Sequence, residues 1–256
     1  NVDAVYIPLP NELHKPWVLA AADAGKHVLC EKPLALDAAE AHEMAGRCED
    51  KGVVLMEAFM WRNQPRTARL RELVEAGAIG EPRLVRSSFS FPIEPDDWRL
   101  DPARGGGALW DVGCYGVNTA RLFAGEDPER VRSVARFGPT EVDLSLTAEL
   151  LFPSGIIGLV DCSFEQPFRC SYELVGTTGV IEVPNAYLPP SRPIAIQRDA
   201  SGKVAREWTF EGDDQYGAMV DAFAESVRRG SLISPCENGV AQMAILDEIR
   251  ATARSS

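Results

Sequence analysis

Short apolar runs alternate with helical stripes along the first quarter of the chain. Residues 2–7 form an apolar run that ends at Pro8-Leu9-Pro10-Asn11, which predicts a buried strand and a turn. Residues 12–24 carry Leu13, Trp17, Leu19 and Ala20 at helical spacing, and Gly25 stops the helix. The run from His27 to Cys30 predicts a second strand, closed by Glu31-Lys32-Pro33. Asp37 followed by Glu40 is a capping-box-like start for a helix to about Asp50. Residues 53–56 predict a third strand leading into the stretch from Glu57 to Pro65. Strands that alternate with helices imply right-handed crossovers and a parallel sheet. Ligands of such sheets bind beyond the carboxyl ends of the strands. All three irregular stretches fall at those ends.

After a further amphipathic helix over 66–75, the pattern changes at Pro82. Residues 83–91 alternate β-branched, aromatic and polar side chains, and a loop rich in Pro and Asp follows to Arg104. Gly105-Gly-Gly107 opens a helix over about 108–123. Strands are predicted at 131–137, 144–152, 156–164, 171–175, 180–183, 194–198 and 204–210, joined by short turns. Links of that length favour antiparallel pairing. Two helices close the chain, at about 216–229 and 237–253. The class is therefore α/β: a parallel start, then an α+β part built on a large, mostly antiparallel sheet.

Composition narrows the function. With 256 residues, 45% hydrophobic and 25% charged, the chain can bury a sizeable core. Its net charge of −12 opposes binding to nucleic acid or to an anionic membrane, since either needs a basic patch to replace counterions. The small basic cluster at Arg66, Arg69 and Arg71 reads as a solvated helix face. The cysteines at 30, 48, 114, 162, 170 and 236 have no metal-ligand or redox spacing. They read as reduced, mostly buried thiols of a cytoplasmic protein. No metal site is expected, and no apolar stretch is long enough to span a membrane.

Two places carry candidate chemistry. Lys32 sits at a strand end before a proline, where a cis bond is allowed. It is either a surface lysine in a loop or a cation that binds a substrate hydroxyl and favours the anionic form of a neighbouring acid. Asp111 and Tyr115 are four apart, and Asn118 continues the same helical face. That face is either an amphipathic stripe with a buried tyrosine or an acid/base set. A phenol titrates near 10, so a base at neutral pH needs roughly 3–4 kcal/mol of preferential phenolate stabilisation. A desolvated ammonium supplies that; Asp111 alone opposes it. Tyr115 is thus a base only if Lys32 converges on it.

The motifs resemble the glucose–fructose oxidoreductase/inositol dehydrogenase (Gfo/Idh/MocA) family over essentially the whole chain. The resemblance rests on Val5–His14, Gly25–Pro33, Met56–Arg62, Ala76–Gly80 and Gly105–Asn118. It implies a Rossmann cofactor domain, here residues 1–62 without its first βαβ units, and a substrate and oligomerisation domain over 63–256. It implies NADP or NAD as cofactor, bordered by Pro8, Leu9, Pro10, Asn11, His14, Glu31, Lys32, Trp61 and Arg62. Lys32, Asp111 and Tyr115 form the implied catalytic set, and Arg99 and Asn118 join them around the substrate. The expected reaction is hydride transfer at C1 of an aldose such as xylose or glucose. A trans-dihydrodiol or cyclic polyol is the alternative substrate, and a non-catalytic ligand sensor is the rival class. A homo-oligomer is expected.

Two departures stand out. Relatives with this segment often continue Arg-Phe-His-Pro-Gln, where this chain has Arg62-Asn-Gln-Pro-Arg66, which leaves the sugar open. The sequence also contains no Gly-x-Gly-x-x-Gly turn after a strand, the usual seat of the cofactor's pyrophosphate. The chain is accordingly expected to be a piece of a longer reading frame.

Overall fold

The computed structural model describes residues 2–212, 214–232 and 238–255. Asn1, Cys236 and the expected helix start at Glu237 lie outside the described residues. Strands β1 (Ala4–Ile7), β2 (His27–Glu31) and β3 (Leu55–Ala58) form a parallel sheet in that order. Ile7 pairs with Cys30 and Cys30 with Glu57, so the three carboxyl ends lie side by side. β3 starts two residues later than expected, because the amides of Val53 and Val54 bond to the Cys48 carbonyl and to His27 Nδ1.

Helices α1 (His14–Asp23) and α2 (Ala38–Asp50) make the crossovers. The Asp37 cap forms as expected: its Oδ1 accepts from the Glu40 amide at 2.8 Å. Glu40 reciprocates one residue upstream of the expected place, accepting from the Leu36 amide. Helix α3 (Pro65–Glu75) starts on its proline, whose missing N–H would be unsatisfied there in any case.

The basic cluster on α3 is split. Arg69 and Arg71 are exposed and pair with Glu72 and Glu75, as a solvated face requires. Arg66 is instead wholly buried. Its guanidinium donates to the carbonyls of Pro184, Asn185, Ala186 and Ile194 and to Gln64 Oε1. It pins the chain segment that leaves the second sheet.

That sheet has eight strands: β4 (Pro82–Ser90), β5 (Arg130–Phe137), β6 (Asp143–Leu151), β7 (Ile157–Ser163), β8 (Arg169–Gly176), β9 (Gly179–Pro184), β10 (Ile194–Asp199) and β11 (Val204–Thr209). Their order is β11-β10-β9-β8-β4-β7-β6-β5. Every neighbouring pair is antiparallel except β4 with β7.

Over β4 and β7 lies α4 (Cys114–Ala124), entered through a π-helical turn at Leu109–Gly113. A Cβ on Gly116 would stand 2.2 Å from Ser87 Oγ and 2.7 Å from Val160 Cγ1, so only glycine lets the helix come this close. Helices α5 (Gln215–Arg229) and α6 (Gly239–Ser255) complete the layer. α6 runs along β5 and reaches α2, where Asp247 accepts from the Ala38 amide at 2.7 Å. One continuous apolar core joins the two sheets. Cys30, Cys48, Cys114, Cys162 and Cys170 are buried and unpaired within it. Among the described residues no helix is long and apolar enough to cross a membrane.

Candidate active site

The carboxyl ends of β1, β2 and β3 deliver three turns to one place. From β2 come Glu31 and Lys32, with a cis bond between Lys32 and Pro33. Lys32 Nζ donates to the Asp111 carbonyl at 2.7 Å and to Asp111 Oδ1 at 3.2 Å. It also stands 5.0 Å from the centre of the Tyr115 ring. The three residues singled out eighty positions apart therefore converge. The other carboxylate oxygen of Asp111 accepts from Arg99 Nε at 2.9 Å, and Arg99 pairs in turn with Asp97. Lys32, Asp111 and Arg99 are each partly open to solvent, at 13%, 15% and 29% of the side chain.

Tyr115 is held by rings. Phe59, Phe89 and Tyr187 surround it at centroid distances of 5.4, 5.6 and 4.9 Å. Its hydroxyl is directed at Met60 Sδ, 3.5 Å away, a weak acceptor. Burial among these rings raises the phenol well above its ordinary range; Lys32 pulls the other way and is outweighed. Lys32 thus acts on the phenol in the expected direction, but burial dominates in this state and Tyr115 holds its proton. Burial pulls the Lys32 ammonium down, but Asp111 with its neighbours Tyr115, Cys114 and Glu31 overcomes this, and Lys32 remains a cation.

The helical spacing of Asp111 and Tyr115 is modified by the π turn, a feature that recurs at functional sites. Upstream, Gly105 adopts a left-handed conformation at φ +73°, and a Cβ there would meet Leu36 and Asn11. Asn11 Nδ2 donates to the Gly105 carbonyl at 3.0 Å, tying the β1 turn to the glycine run. Arg104 and Glu12 form an ion pair across the same seam.

Several expected ligand residues face inward instead. His14 is fully buried, with Nε2 2.8 Å from the Leu9 carbonyl and Nδ1 3.1 Å from that of Pro33. It braces the Lys32 turn against β1. Trp61 lies in the core between Tyr172 and Tyr187, with no surface exposed. Asn118 is wholly buried; its Oδ1 accepts from Arg62 Nε at 2.9 Å, and its amide faces Gln242. Arg62 stacks on Phe59 and is 7% exposed. All four support the site from behind, because a helical face or a strand end presents side chains to packed neighbours as well as to the cleft. At the mouth, Pro8 is exposed, Leu9 and Pro10 are half-buried, and the Glu31 carboxylate accepts from the Tyr6 hydroxyl at 2.5 Å.

Glu57 is not among the expected site residues. It is a carboxylate on a buried strand, 1% exposed, accepting from the Leu34 amide at 3.0 Å. A charged residue inside the apolar run Val53–Met60 was the available signal.

Comparison with known proteins places this arrangement. Residues 1–59 match the model of the oxidoreductase family with an NAD-binding Rossmann fold, and residues 67–182 match the GFO/IDH/MocA C-terminal domain. D-xylose 1-dehydrogenase (NADP(+)) 2 of Haloferax volcanii is 44% identical over 234 residues, covering 90% of this chain and 71% of the relative. The chain belongs to the GFO/IDH/MocA oxidoreductase family. Another GFO/IDH/MocA relative, the dTDP-3,4-didehydro-2,6-dideoxy-alpha-D-glucose 3-reductase of Actinomadura kijaniata, is 33% identical over 257 residues, or 99% of this chain and 77% of its own. The solved structure of KijD10, a 3-ketoreductase from Actinomadura kijaniata in complex with NADP and TDP-benzene, superposes with a TM-score of 0.90 at 32% identity. The match covers 98% of this chain and 78% of that one. The donor set here fits the nicotinamide end of the family's cofactor. Glu31 presents a carboxylate and Lys32 a cation at the end of a parallel strand, groups able to bond hydroxyls.

Proposed function

We propose that the chain transfers a hydride between the C1 carbon of an aldose and NADP, with Tyr115 moving the hydroxyl proton. The observation that carries this reading is the convergence of Lys32 and Asp111 on a tyrosine whose hydroxyl, among the described residues, has only a thioether to bond. A substrate oxygen is a far better partner for that hydroxyl than Met60 Sδ. The names of the xylose dehydrogenase and of the NADP-bound ketoreductase support a sugar substrate and NADP.

NADP supplies the two-electron acceptor, and NADPH the donor, when bound. Pro8, Leu9, Pro10 and Asn11 would border it, and Glu31 and Lys32 would hold its nicotinamide ribose. Tyr115, protonated at rest, is set to give its proton to a carbonyl oxygen as that oxygen becomes a hydroxyl. In the reverse direction it takes the proton back, and Lys32 stabilises the oxyanion on either partner. Asp111 keeps Lys32 charged and aimed, and Arg99 offers further N–H donors to sugar hydroxyls. Residues 1–62 would serve the cofactor and 63–256 the sugar. Five buried, unpaired thiols accord with a cytoplasmic setting, and the broad sheet with a homo-oligomer. A single species of monomer mass in sedimentation overturns the last point.

Tyr115→Phe and Lys32→Ala should each lower turnover of xylose or glucose by roughly 10²–10⁴-fold. NADP binding, followed by fluorescence titration, should stay within about threefold, since neither group would carry the main grip on the dinucleotide. Turnover retained in either variant refutes the assignment. Sugar binding without turnover in the parent favours a sensor.

A further inference from the structure

Lys32 does not hold itself in place. The turn that carries it is fixed from the β1 side by His14, whose ring is wedged between the Leu9 and Pro33 carbonyls, 2.8 and 3.1 Å from its two nitrogens. From the β3 side, Leu34 donates its amide to Glu57 Oε1 at 3.0 Å. The second carboxylate oxygen, Oε2, is buried without a hydrogen-bond partner among the described residues and lies 3.9 Å from Arg62 Nη2. A Cβ on Gly239 would come within 3.3 Å of the same oxygen, so the first residue of α6 rests against the carboxylate. Glu57 is thus the point where the Lys32 turn, the Met60–Asn63 turn and the C-terminal helix meet.

We propose that Glu57 is a positioning residue for Lys32, acting through the Leu34 amide; this rests on the role of Lys32 given above. A buried acid without full compensation is costly. A methionine of similar length would fill the volume without that cost but would leave the Leu34 amide unbonded. The groups facing Glu57 are Arg62, Arg121 on α4, Lys32 on the turn, and the thiols of Cys30 and Cys114. Burial raises the Glu57 carboxyl to about 7, and the cations only partly oppose it. Its ionisation therefore falls in the neutral range. A hydrogen bond to a carboxylate is about twice as strong as one to a neutral acceptor, so the Lys32 turn is held more tightly above that pH.

The test compares the full chain with Glu57→Gln, which keeps an oxygen for Leu34, and Glu57→Ala, which does not. The first readout needs neither cofactor nor sugar: the ¹⁵N–¹H resonance of Leu34 followed from pH 5.5 to 8.5. In the parent it should move with one midpoint near neutrality; in Glu57→Gln it should not move there. The second is steady-state kinetics with xylose and NADP. Glu57→Ala should lose roughly ten- to a hundredfold in kcat with KM changed less than about twofold, the mark of a displaced catalytic group. Glu57→Gln should recover most of kcat and flatten its rise between pH 6 and 8. A Leu34 resonance that ignores pH in the parent, or titrates equally in Glu57→Gln, overturns the proposal. So does an Ala variant that melts earlier yet keeps its kcat. Should Glu57→Ala not fold, the Gln variant decides both arms. A Leu34 titration as expected in a chain without turnover upholds the positioning role and removes the proposed reaction instead.

Discussion

The two halves of the site are held by different forces. Lys32 stands on a turn fixed by polar side chains: His14, Glu57 and Asp111 each contribute hydrogen bonds to it or to the lysine itself. Tyr115 stands on a helix fixed by volume: rings of Phe59, Phe89 and Tyr187 on one side, and a glycine contact with Ser87 and Val160 on the other. Hydrogen-bonded placement depends on protonation and loses force in discrete steps. Packed placement is blind to pH and fails with lost or added atoms. A site assembled from both should show two separable kinds of fragility.

Phe89→Ala tests the packed half and should have the largest effect on stability. Phe89 touches Tyr115, Tyr187, Phe91 and Phe168 and is 7% exposed. Its truncation should cost about 3–5 kcal/mol in denaturant unfolding, by the same amount at pH 6 and pH 8. A strongly pH-dependent loss would break the contrast.

The polar half should show in the pH dependence of the parent. Burial raises Glu57 to about 7, and raises Asp143, which caps the π turn through the Leu109 amide, to about 7 as well. Both values lie above the ordinary carboxyl range, so between roughly pH 4 and 7 the folded chain binds more protons than the unfolded one. The stability each group contributes is complete below its unfolded pKa and is lost as pH rises through 7. For Glu57 the loss amounts to at most about 3 kcal/mol. Melting temperatures from pH 5 to 8 should fall accordingly, and less steeply in Glu57→Gln. An unchanged slope in that variant would move the titration elsewhere.

The smallest effect is expected at the edge of the polar half. Asp37→Ala removes the cap of α2 just beyond the Lys32 turn and should cost about 1 kcal/mol. A loss several times larger in urea unfolding would mean that the cap also supports the turn.

Much of this was legible in the residues. Strand–helix alternation located the parallel sheet, and short turns located the antiparallel one. Lys32, Asp111 and Tyr115 could be paired by chemistry alone, since a phenol base needs a cation and the chain offers one at a strand end. What could not be read is which way a side chain faces once three layers have closed. Arg66, Arg69 and Arg71 look alike in sequence, yet one is interior because Pro184 to Ala186 bring carbonyls within its reach from the far side of the fold. Trp61, Asn118 and His14 sit beside the right motifs and serve them from inside. The π turn left no local mark. Glu57 did leave one, a charge in an apolar strand.

The loop between β4 and the π turn differs in kind from everything around it. Tyr115 is mounted on a helix and Lys32 directly follows a strand, whereas Arg99 hangs from a string of short 3₁₀ turns over Trp98–Leu100 and Pro102–Arg104. Such a segment can change length and side chains with little disturbance to the sheets beneath it. On the proposed reading the site is in effect modular: a Lys32–Tyr115 pair that would exchange the proton, and a loop surface that would present the hydroxylated ring to it. On that reading, redesign of sugar preference belongs in residues 92–104 with Arg99 kept, because Arg99 also bonds the Asp111 carboxylate that holds Lys32.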